Sequence, residues 1–207
     1  MSKAEKTKAH IIEQAASLFN QKGYAGSSMS DIMQATGLKK GGIYNHFGSK
    51  DELALAAFDY AASMMGARYI QALQATANEG AIAQLHSVLD VFRRNCQDRL
   101  IEGGCPLLNT AIESDDSHPA LRKRTQQAMG NWHQSIRLVA RKGIKRKELR
   151  ADVDPKAIAT VIIATLEGAL MMTKLYDDPQ HIQHALKHLR SYVDSLKNLD
   201  GSKHDNE

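Results

Sequence analysis

Apolar side chains recur at helical spacing along nearly the whole chain, and no segment alternates apolar and polar residues as a half-buried strand does. After about residue 49 the pattern predicts six helices, beginning near residues 50, 81, 106, 118, 155 and 179. Glycine and proline mark several of their ends: Gly103-Gly104 follows the second of these helices, whereas Pro106 and Pro155 suit first helical positions. The sequence therefore predicts an all-α fold.

The most informative stretch, residues 28–50, contains two short helices joined by a glycine turn. Ser28 is a favourable N-cap, and Asp31 three residues later completes a capping box. Gly37 supplies the left-handed conformation that ends the first short helix. A second helix from about residue 39 to 45 directs Ile43 inward, so its other side chains are expected to face outward.

The outward side of this second helix has the composition of a DNA-reading surface. Adjacent lysines can reach phosphates or guanine edges, and tyrosine and histidine can hydrogen-bond to phosphates. Adjacent glycines allow the backbone to approach DNA closely, although each costs about 1 kcal/mol of helix stability relative to alanine. A plain helical hairpin with solvated lysines does not explain that composition. The predicted DNA-contacting residues are Ser28, Lys39, Lys40, Gly41, Gly42, Tyr44, Asn45, His46 and Lys50.

The segment from Ile11 to Leu53 resembles the DNA-binding domain of TetR-family regulators. The matching residues are Gly23-Tyr24, Ser28, Asp31-Ile32, Ala35-x-Gly37, Lys40-Gly41-x-Ile43-Tyr44-x-x-Phe47 and Ser49-Lys50-x-x-Leu53. The resemblance implies about nine helices: a three-helix DNA-binding head at 1–49, a ligand-binding and dimerisation body at 50–200, and a polar tail at 201–207. Family members often have Ser where this chain has Lys39 and a larger residue where it has Gly42, so no operator sequence is carried over.

The distribution of charge agrees with a DNA-binding head. Residues 1–50 hold seven lysines and three acidic residues, which accounts for the whole net charge of +4. The remainder balances 20 basic against 20 acidic residues, as expected for a neutral body. Without a run of 18 apolar residues or an apolar signal core, the chain is predicted to be cytoplasmic, with no membrane partner. Its two cysteines are then expected to be free thiols.

The resemblance also implies a small-molecule effector bound inside the body. The predicted lining residues are Phe92, Cys96, Cys105, Leu108, Met129, Trp132, His133, Leu166, Glu167, Leu170, Met171 and Met172. Methionines, one tryptophan and few charges suit an apolar or aromatic effector. Glu167 is the polar exception: it either recognises a polar or cationic group of the ligand or points to water. Ordinary core packing remains the alternative for each of these residues.

The helix predicted after Pro155 is apolar over too much of its circumference to face a single core. It is either central in a monomer or shared with a partner subunit. The resemblance implies the second arrangement, in which the last two helices pair with their copies in a homodimer. Such a dimer would place two heads on a palindromic double-stranded operator.

Two groups of residues carry alternative chemistry. Cys105 precedes a helix N-terminus, which can make a thiol reactive, or it is a small buried residue at a turn. His181, His184 and His188 could bind a metal at helical spacing, or they form a solvated face. Neither a nucleophile–base spacing nor a phosphate-binding loop supports an enzyme, so no catalytic residue, cofactor or metal is predicted. An architectural DNA-binding protein would be basic over more of its surface.

The sequence therefore predicts a ligand-responsive, sequence-specific transcriptional regulator, and most simply a repressor that an inducer releases from its operator. One alternative is a cysteine-based sensor of electrophiles or oxidants with the same fold. The other alternative is a small all-α enzyme.

Overall fold

The computed structural model describes residues 1–98, 100–114 and 117–199, and these residues form nine α-helices and no β-strand. The predicted all-α fold is confirmed. The helices are α1 (Lys3–Lys22), α2 (Met29–Thr36), α3 (Lys40–Tyr44), α4 (Lys50–Ala75), α5 (Ala81–Asp98), α6 (Pro106–Ser114), α7 (Pro119–Lys145), α8 (Pro155–Tyr176) and α9 (Gln180–Ser195). The predicted polar tail, 201–207, lies outside the described residues.

The chain folds as two compact units. The first comprises Met1–Met65 and Arg99–Met129, and the second comprises Gly66–Asp98 and Gly130–Glu207. Both α4 and α7 contribute to each unit. The functional domains predicted at 1–49 and 50–200 stay a prediction, because the compactness of a segment does not define its function.

The core of the first unit joins α1, α2, α3 and the beginning of α4. It is built from fully buried aliphatic and aromatic side chains together with alanines, and Leu38 packs against it from the turn between α2 and α3. The buried members are Ile11, Ala15, Ala16, Ile32, Ile43, Phe47, Leu53, Ala57, Ala61 and Ile101. This core fixes which side of the short helix α3 faces inward.

Polar contacts in the first unit attach the α5–α6 connection to the end of α1. The Asn20 amide donates hydrogen bonds to the carbonyl oxygens of Glu102 at 2.8 Å and Gly104 at 2.9 Å. Asn109 donates in turn to the Asn20 carbonyl oxygen at 3.0 Å. Gly103 has a φ of 101°, and a Cβ atom there would lie 2.5 Å from the Asn20 carbonyl oxygen. Glycine is required at this position for both reasons.

Helix α8 forms much of the core of the second unit, where it packs against α9. It starts as predicted with Pro155 at the first helical position, and Asp154 is its N-cap. Its length and mean hydropathy of 1.6 would allow a membrane span, but the core helix of a folded protein can have the same length and hydropathy. In α8, 44% of the most apolar 18-residue segment is buried inside the protein. The large apolar side chains that remain exposed on α8 are Val161, Met171, Met172, Leu175 and Tyr176.

Gly143 lies within a helix rather than at the end of one. Helix α7 continues through Gly143 to Lys145. A Cβ atom on Gly143 would lie 2.5 Å from the Ala81 side chain and 2.8 Å from Leu149. This glycine therefore serves close packing between segments rather than helix termination.

Candidate nucleic-acid interface and effector residues

The capping box predicted at the start of α2 is present. Ser28 Oγ accepts a hydrogen bond from the Asp31 main-chain N–H at 3.1 Å, and the Asp31 carboxylate accepts one from the Ser28 N–H at 2.8 Å. Lys22 adds an ion pair to Asp31 at 2.6 Å. The hydrogen bond from Lys22, followed by those from Ser28, holds the pKa of Asp31 well below its usual range. These contacts orient α2 on α1, and they leave Ser28 exposed at the surface.

Helix α3 is a five-residue helix whose inward side chains are those expected. Ile43 is 1% exposed, and Phe47, just after the helix, is 2% exposed. Their burial turns the other side of α3 outward. Lys39, Lys40, Gly41, Tyr44 and Asn45 are exposed, while Gly42, His46 and Lys50 are partly buried.

The two glycines of α3 meet no structural demand from the described part of the protein. Neither has a positive φ, so neither is needed for backbone conformation. A Cβ atom on Gly41 would touch nothing within 4 Å, and one on Gly42 would only contact the Leu38 side chain at 3.7 Å. Glycine destabilises a helix relative to alanine, so each of these residues costs helix stability with no compensating contact among the described residues. A surface that must approach the backbone of α3 closely would require them.

Lys50, one of the predicted DNA-contacting residues, also joins two segments of the first unit. Its ammonium group donates a hydrogen bond to the Tyr24 carbonyl oxygen at 2.5 Å and lies 4.1 Å from the centre of the Tyr24 ring. The Tyr24 hydroxyl donates to the Asp51 carboxylate. Burial, and then this contact with Asp51, raises the pKa of Tyr24 to about 12. Tyr24 thus stays protonated and braces the start of α4.

The sequence did not predict these contacts of Tyr24. They join Tyr24 to Lys50 and Asp51, which lie 26 and 27 positions further along the chain, and no local sequence signal indicates a contact over that separation.

The effector residues predicted from the sequence divide between the two units. In the second unit, Trp132 lies between two aromatic rings, with ring centres 5.3 Å from Tyr69 and 6.1 Å from Phe92. Tyr69 was not among the lining residues predicted from the sequence, because helical spacing does not show which distant side chains meet. We call Tyr69, Phe92 and Trp132 the aromatic cluster. The Trp132 indole N–H is buried and has no hydrogen-bond partner among the described residues.

Polar groups accompany the aromatic cluster. Cys96 follows Phe92 by one helical turn on α5, and burial together with the nearby Glu167 carboxylate raises the pKa of its thiol to about 11. Glu167 itself is only 5% exposed. Of the two alternatives for Glu167, exposure to water is therefore wrong, whereas its role in recognising a ligand stays a prediction. His133 contacts the Thr160 hydroxyl at 3.2 Å.

The remaining predicted lining residues have different surroundings. Leu166 and Leu170 are buried in the second unit, but Met171 is 48% exposed and Met172 is 39% exposed. Exposed apolar side chains on α8 fit a surface covered by a partner better than the wall of an internal pocket. Cys105, Leu108 and Met129 belong to the first unit, and Cys105 is only 3% exposed.

The histidines considered as metal ligands are spread along α9. His184 and His188 are exposed, and the ring of His181 lies 5.5 Å from that of Tyr176. Across 1–98, 100–114 and 117–199, no three His, Cys, Asp or Glu side chains come together in a way that could hold a metal ion.

Comparison with known proteins agrees with both parts of this arrangement. Residues 11–57 match the family model described as bacterial regulatory proteins of the tetR family. Residues 81–189 match the model of a tetracyclin repressor-like C-terminal domain. These two matches cover most of the predicted DNA-binding head and most of the body.

Solved structures and curated proteins add similar relatives. A TetR transcriptional regulator from Chloroflexus aurantiacus is 45% identical, with a TM-score of 0.89 over 95% of this chain and 98% of that one. A TetR-family regulator from Cytophaga hutchinsonii is 35% identical, with a TM-score of 0.86 over the same shares of the two chains. The transcriptional repressor DhaR of a Mycobacterium species is 23% identical over 80% of this chain and 81% of its own length.

Proposed function

Because the chain belongs to the TetR family of transcriptional regulators, we propose that it is a homodimeric repressor that occupies a palindromic operator and leaves it when an effector binds. Members of this family are DNA-binding regulators, typically ligand-responsive repressors. They bind operators as dimers and take small-molecule effectors. We also propose that it acts in the cytoplasm, where its operator DNA is found.

The observation that carries the proposal is the outward face of α3. Two glycines without an internal role stand beside Lys40 and Tyr44, whose side chains lie 5.7 Å apart from ammonium group to ring centre. A helix face of this kind can enter the major groove with its backbone close to the DNA. We assign Lys39 and Lys40 to base edges or phosphates, and Tyr44, His46 and Lys50 to phosphates.

Dimerisation is proposed through α8 and α9. Leu175 is 70% exposed and Tyr176 is 64% exposed, and with Met171 they place large apolar side chains on the surface near the end of α8. Apolar side chains grouped in this way mark interaction surfaces. An isologous interface through these helices would pair two heads with the two-fold symmetry of a palindromic operator.

The effector is proposed to be apolar or aromatic. The aromatic cluster supports this chemistry because a planar ring can stack on Tyr69, Phe92 or Trp132 and accept the unpartnered indole N–H. Release follows from a population shift: an effector that prefers the conformation with low DNA affinity reduces operator binding by the ratio of its two affinities.

A cysteine-based sensor of the same fold is less well supported. The raised pKa of Cys96 disfavours its thiolate, which is the reactive form, and Cys105 is buried. For an enzymatic function, no catalytic arrangement of side chains has been identified within 1–98, 100–114 and 117–199.

The decisive experiment is a gel-shift titration with the intergenic DNA upstream of the gene that encodes this chain. It should be run across a salt series and against an excess of random DNA. Tight binding that survives the competitor is the expected result. Binding that random DNA abolishes would contradict sequence-specific recognition of that region, and selection of sites from genomic fragments would then test the remainder of the proposal.

A further inference from the structure

A cavity of about 320 Å³ lies between α6 and α7 in the first unit. Its volume is within the range of small-molecule binding sites. It shares no residue with the aromatic cluster, and among its lining residues only Met129 is one that the sequence had indicated. The lining residues are Ala111, Ser114, Arg122, Thr125, Gln126 and Met129.

The buried part of the lining offers a ligand few donors. Ser114 is 1% exposed and Thr125 is 4% exposed. Each hydroxyl donates to a main-chain carbonyl one helical turn earlier, Ser114 to Thr110 at 2.6 Å and Thr125 to Leu121 at 2.9 Å. With their hydrogens engaged in this way, these buried groups do not donate to an anionic ligand.

Arg122 supplies the strong positive charge of the lining. Its side chain is exposed, and no ion pair involving it is found within the described residues. The neighbouring Arg124, by contrast, is paired with Asp59 at 2.7 Å. A guanidinium group recognises a carboxylate in bidentate geometry, and Ala111 and Met129 provide apolar contact for the rest of a ligand. The chemistry of the cavity therefore selects an apolar molecule with a carboxylate.

The cavity also adjoins a contact that holds the end of α6 to the segment after α1. Ser114 follows Glu113, whose carboxylate accepts hydrogen bonds from the main-chain N–H groups of Tyr24 at 2.9 Å and Ala25 at 2.8 Å. A Cβ atom on Gly23 would lie 2.7 Å from this carboxylate. A ligand beside Ser114 would therefore act on the same turn of α6 that carries Glu113.

We propose that the α6–α7 cavity is a second small-molecule site, which binds a compact aromatic or branched aliphatic carboxylic acid through Arg122. Its influence on operator affinity, through Glu113, rests on the proposed function. Binding of the acid itself does not, so the two can fail separately.

Calorimetric titration of the full chain tests the site. The probes are 4-phenylbutyrate, isobutyrate and 1-naphthoate, together with 4-phenylbutanol and 4-phenylbutylamine as the neutral and cationic counterparts of the first. We expect at least one acid to bind, and 4-phenylbutyrate to bind about tenfold or more tightly than its alcohol or amine, since a paired carboxylate outweighs a neutral hydroxyl.

Paired variants locate the binding. Arg122→Gln should remove the preference for the acid over the alcohol, whereas Lys123→Gln removes the same charge from an exposed neighbour outside the lining and should not. Ala111→Phe should fill the cavity and abolish binding of the acid, whereas Ala120→Phe adds the same bulk at an exposed position of α7 and should preserve it. Thermal melting of each variant confirms that it is folded.

Several results would overturn the site. They are the absence of binding by all three acids, tighter binding of the amine than of the acid, and acid binding that survives both Arg122→Gln and Ala111→Phe. Operator binding of the same preparations is followed by fluorescence anisotropy. Intact operator binding without acid binding would refute only the second site, and acid binding without operator binding would refute only the proposed function.

Discussion

The ammonium group of Lys50 donates a hydrogen bond to the carbonyl oxygen of Tyr24 at 2.5 Å while lying 4.1 Å from the centre of the Tyr24 ring. Two segments of the first unit, the turn after α1 and the start of α4, are joined by this one side chain. A lysine expected to bind phosphate thus has a structural role as well. Its substitution is expected to have two separable effects.

Lys50→Ala should lower both operator affinity and the free energy of unfolding. The loss of a charged hydrogen bond and a cation–π contact is expected to cost about 1–2 kcal/mol of stability. The loss of a phosphate contact should reduce the slope of log K against log salt by about 0.9. Denaturant melts and a salt series of anisotropy titrations measure the two effects. Lys145→Ala, at an exposed position of α7, is the control; an equal change in salt slope there would refute the assignment.

Gly41→Ala should stabilise the protein and weaken its binding to DNA. The new Cβ atom meets nothing within 4 Å in the protein, so up to about 1 kcal/mol of helix stability is gained. On DNA the same methyl group would hold the backbone away, and we expect affinity to fall about tenfold or more, as for the loss of one good contact. Gly130→Ala is the matched control, because its Cβ atom also meets nothing. If Gly41→Ala binds the operator normally, close approach of α3 is not required.

Asp31 should make the stability of the protein sensitive to acid. Its pKa in the folded state lies below the value of about 3.9 found in unfolded chains, because Lys22 and Ser28 favour the charged form. Its contribution is therefore complete above about pH 4 and is lost as the pH falls below that value. The difference in unfolding free energy between the wild type and Asp31→Asn should shrink on acidification from pH 6 to pH 3. A difference that stays constant or grows would contradict this account.

Leu175→Asp should convert the dimer to a monomer and weaken operator binding. The side chain is 70% exposed on α8, and a carboxylate in an apolar interface would be desolvated without a partner. Light scattering coupled to gel filtration reports the mass. Ile70→Asp, at another apolar position that is 57% exposed, should remain dimeric. A dimeric Leu175→Asp variant would move the interface away from the end of α8.

Cys96 should resist alkylation at neutral pH, because its pKa of about 11 leaves almost no thiolate. Mass spectrometry after brief exposure to iodoacetamide measures the modified fraction, with the unfolded protein as the reactive reference. Rapid modification of Cys96 would contradict the effect of burial.

Cys105→Ser should leave operator binding intact in the absence of any ligand. If an electrophile still releases this variant from DNA, Cys105 is not a sensor.

Local sequence signals determined the helices of this protein. Ser28 with Asp31, Gly37, and Asp154 with Pro155 act over one or two helical turns, so the spacing of a few residues was enough to predict where helices start and stop. The inward direction of Ile43 and the basic character of the first 50 residues could be predicted in the same way. These features need no knowledge of distant segments.

Tertiary structure alone decided which distant residues meet. Glu113 reaches Tyr24 across 89 positions of the sequence, and Gly143 is required by contact with Ala81 and Leu149 rather than by the end of a helix. Likewise, the exposure of Met171 and the joining of Tyr69 to Trp132 follow from how helices pack. Helical periodicity shows that a residue lies on an apolar face of its helix, but such a face can pack against many different segments of the chain. Only the packing of the folded chain selects one of them.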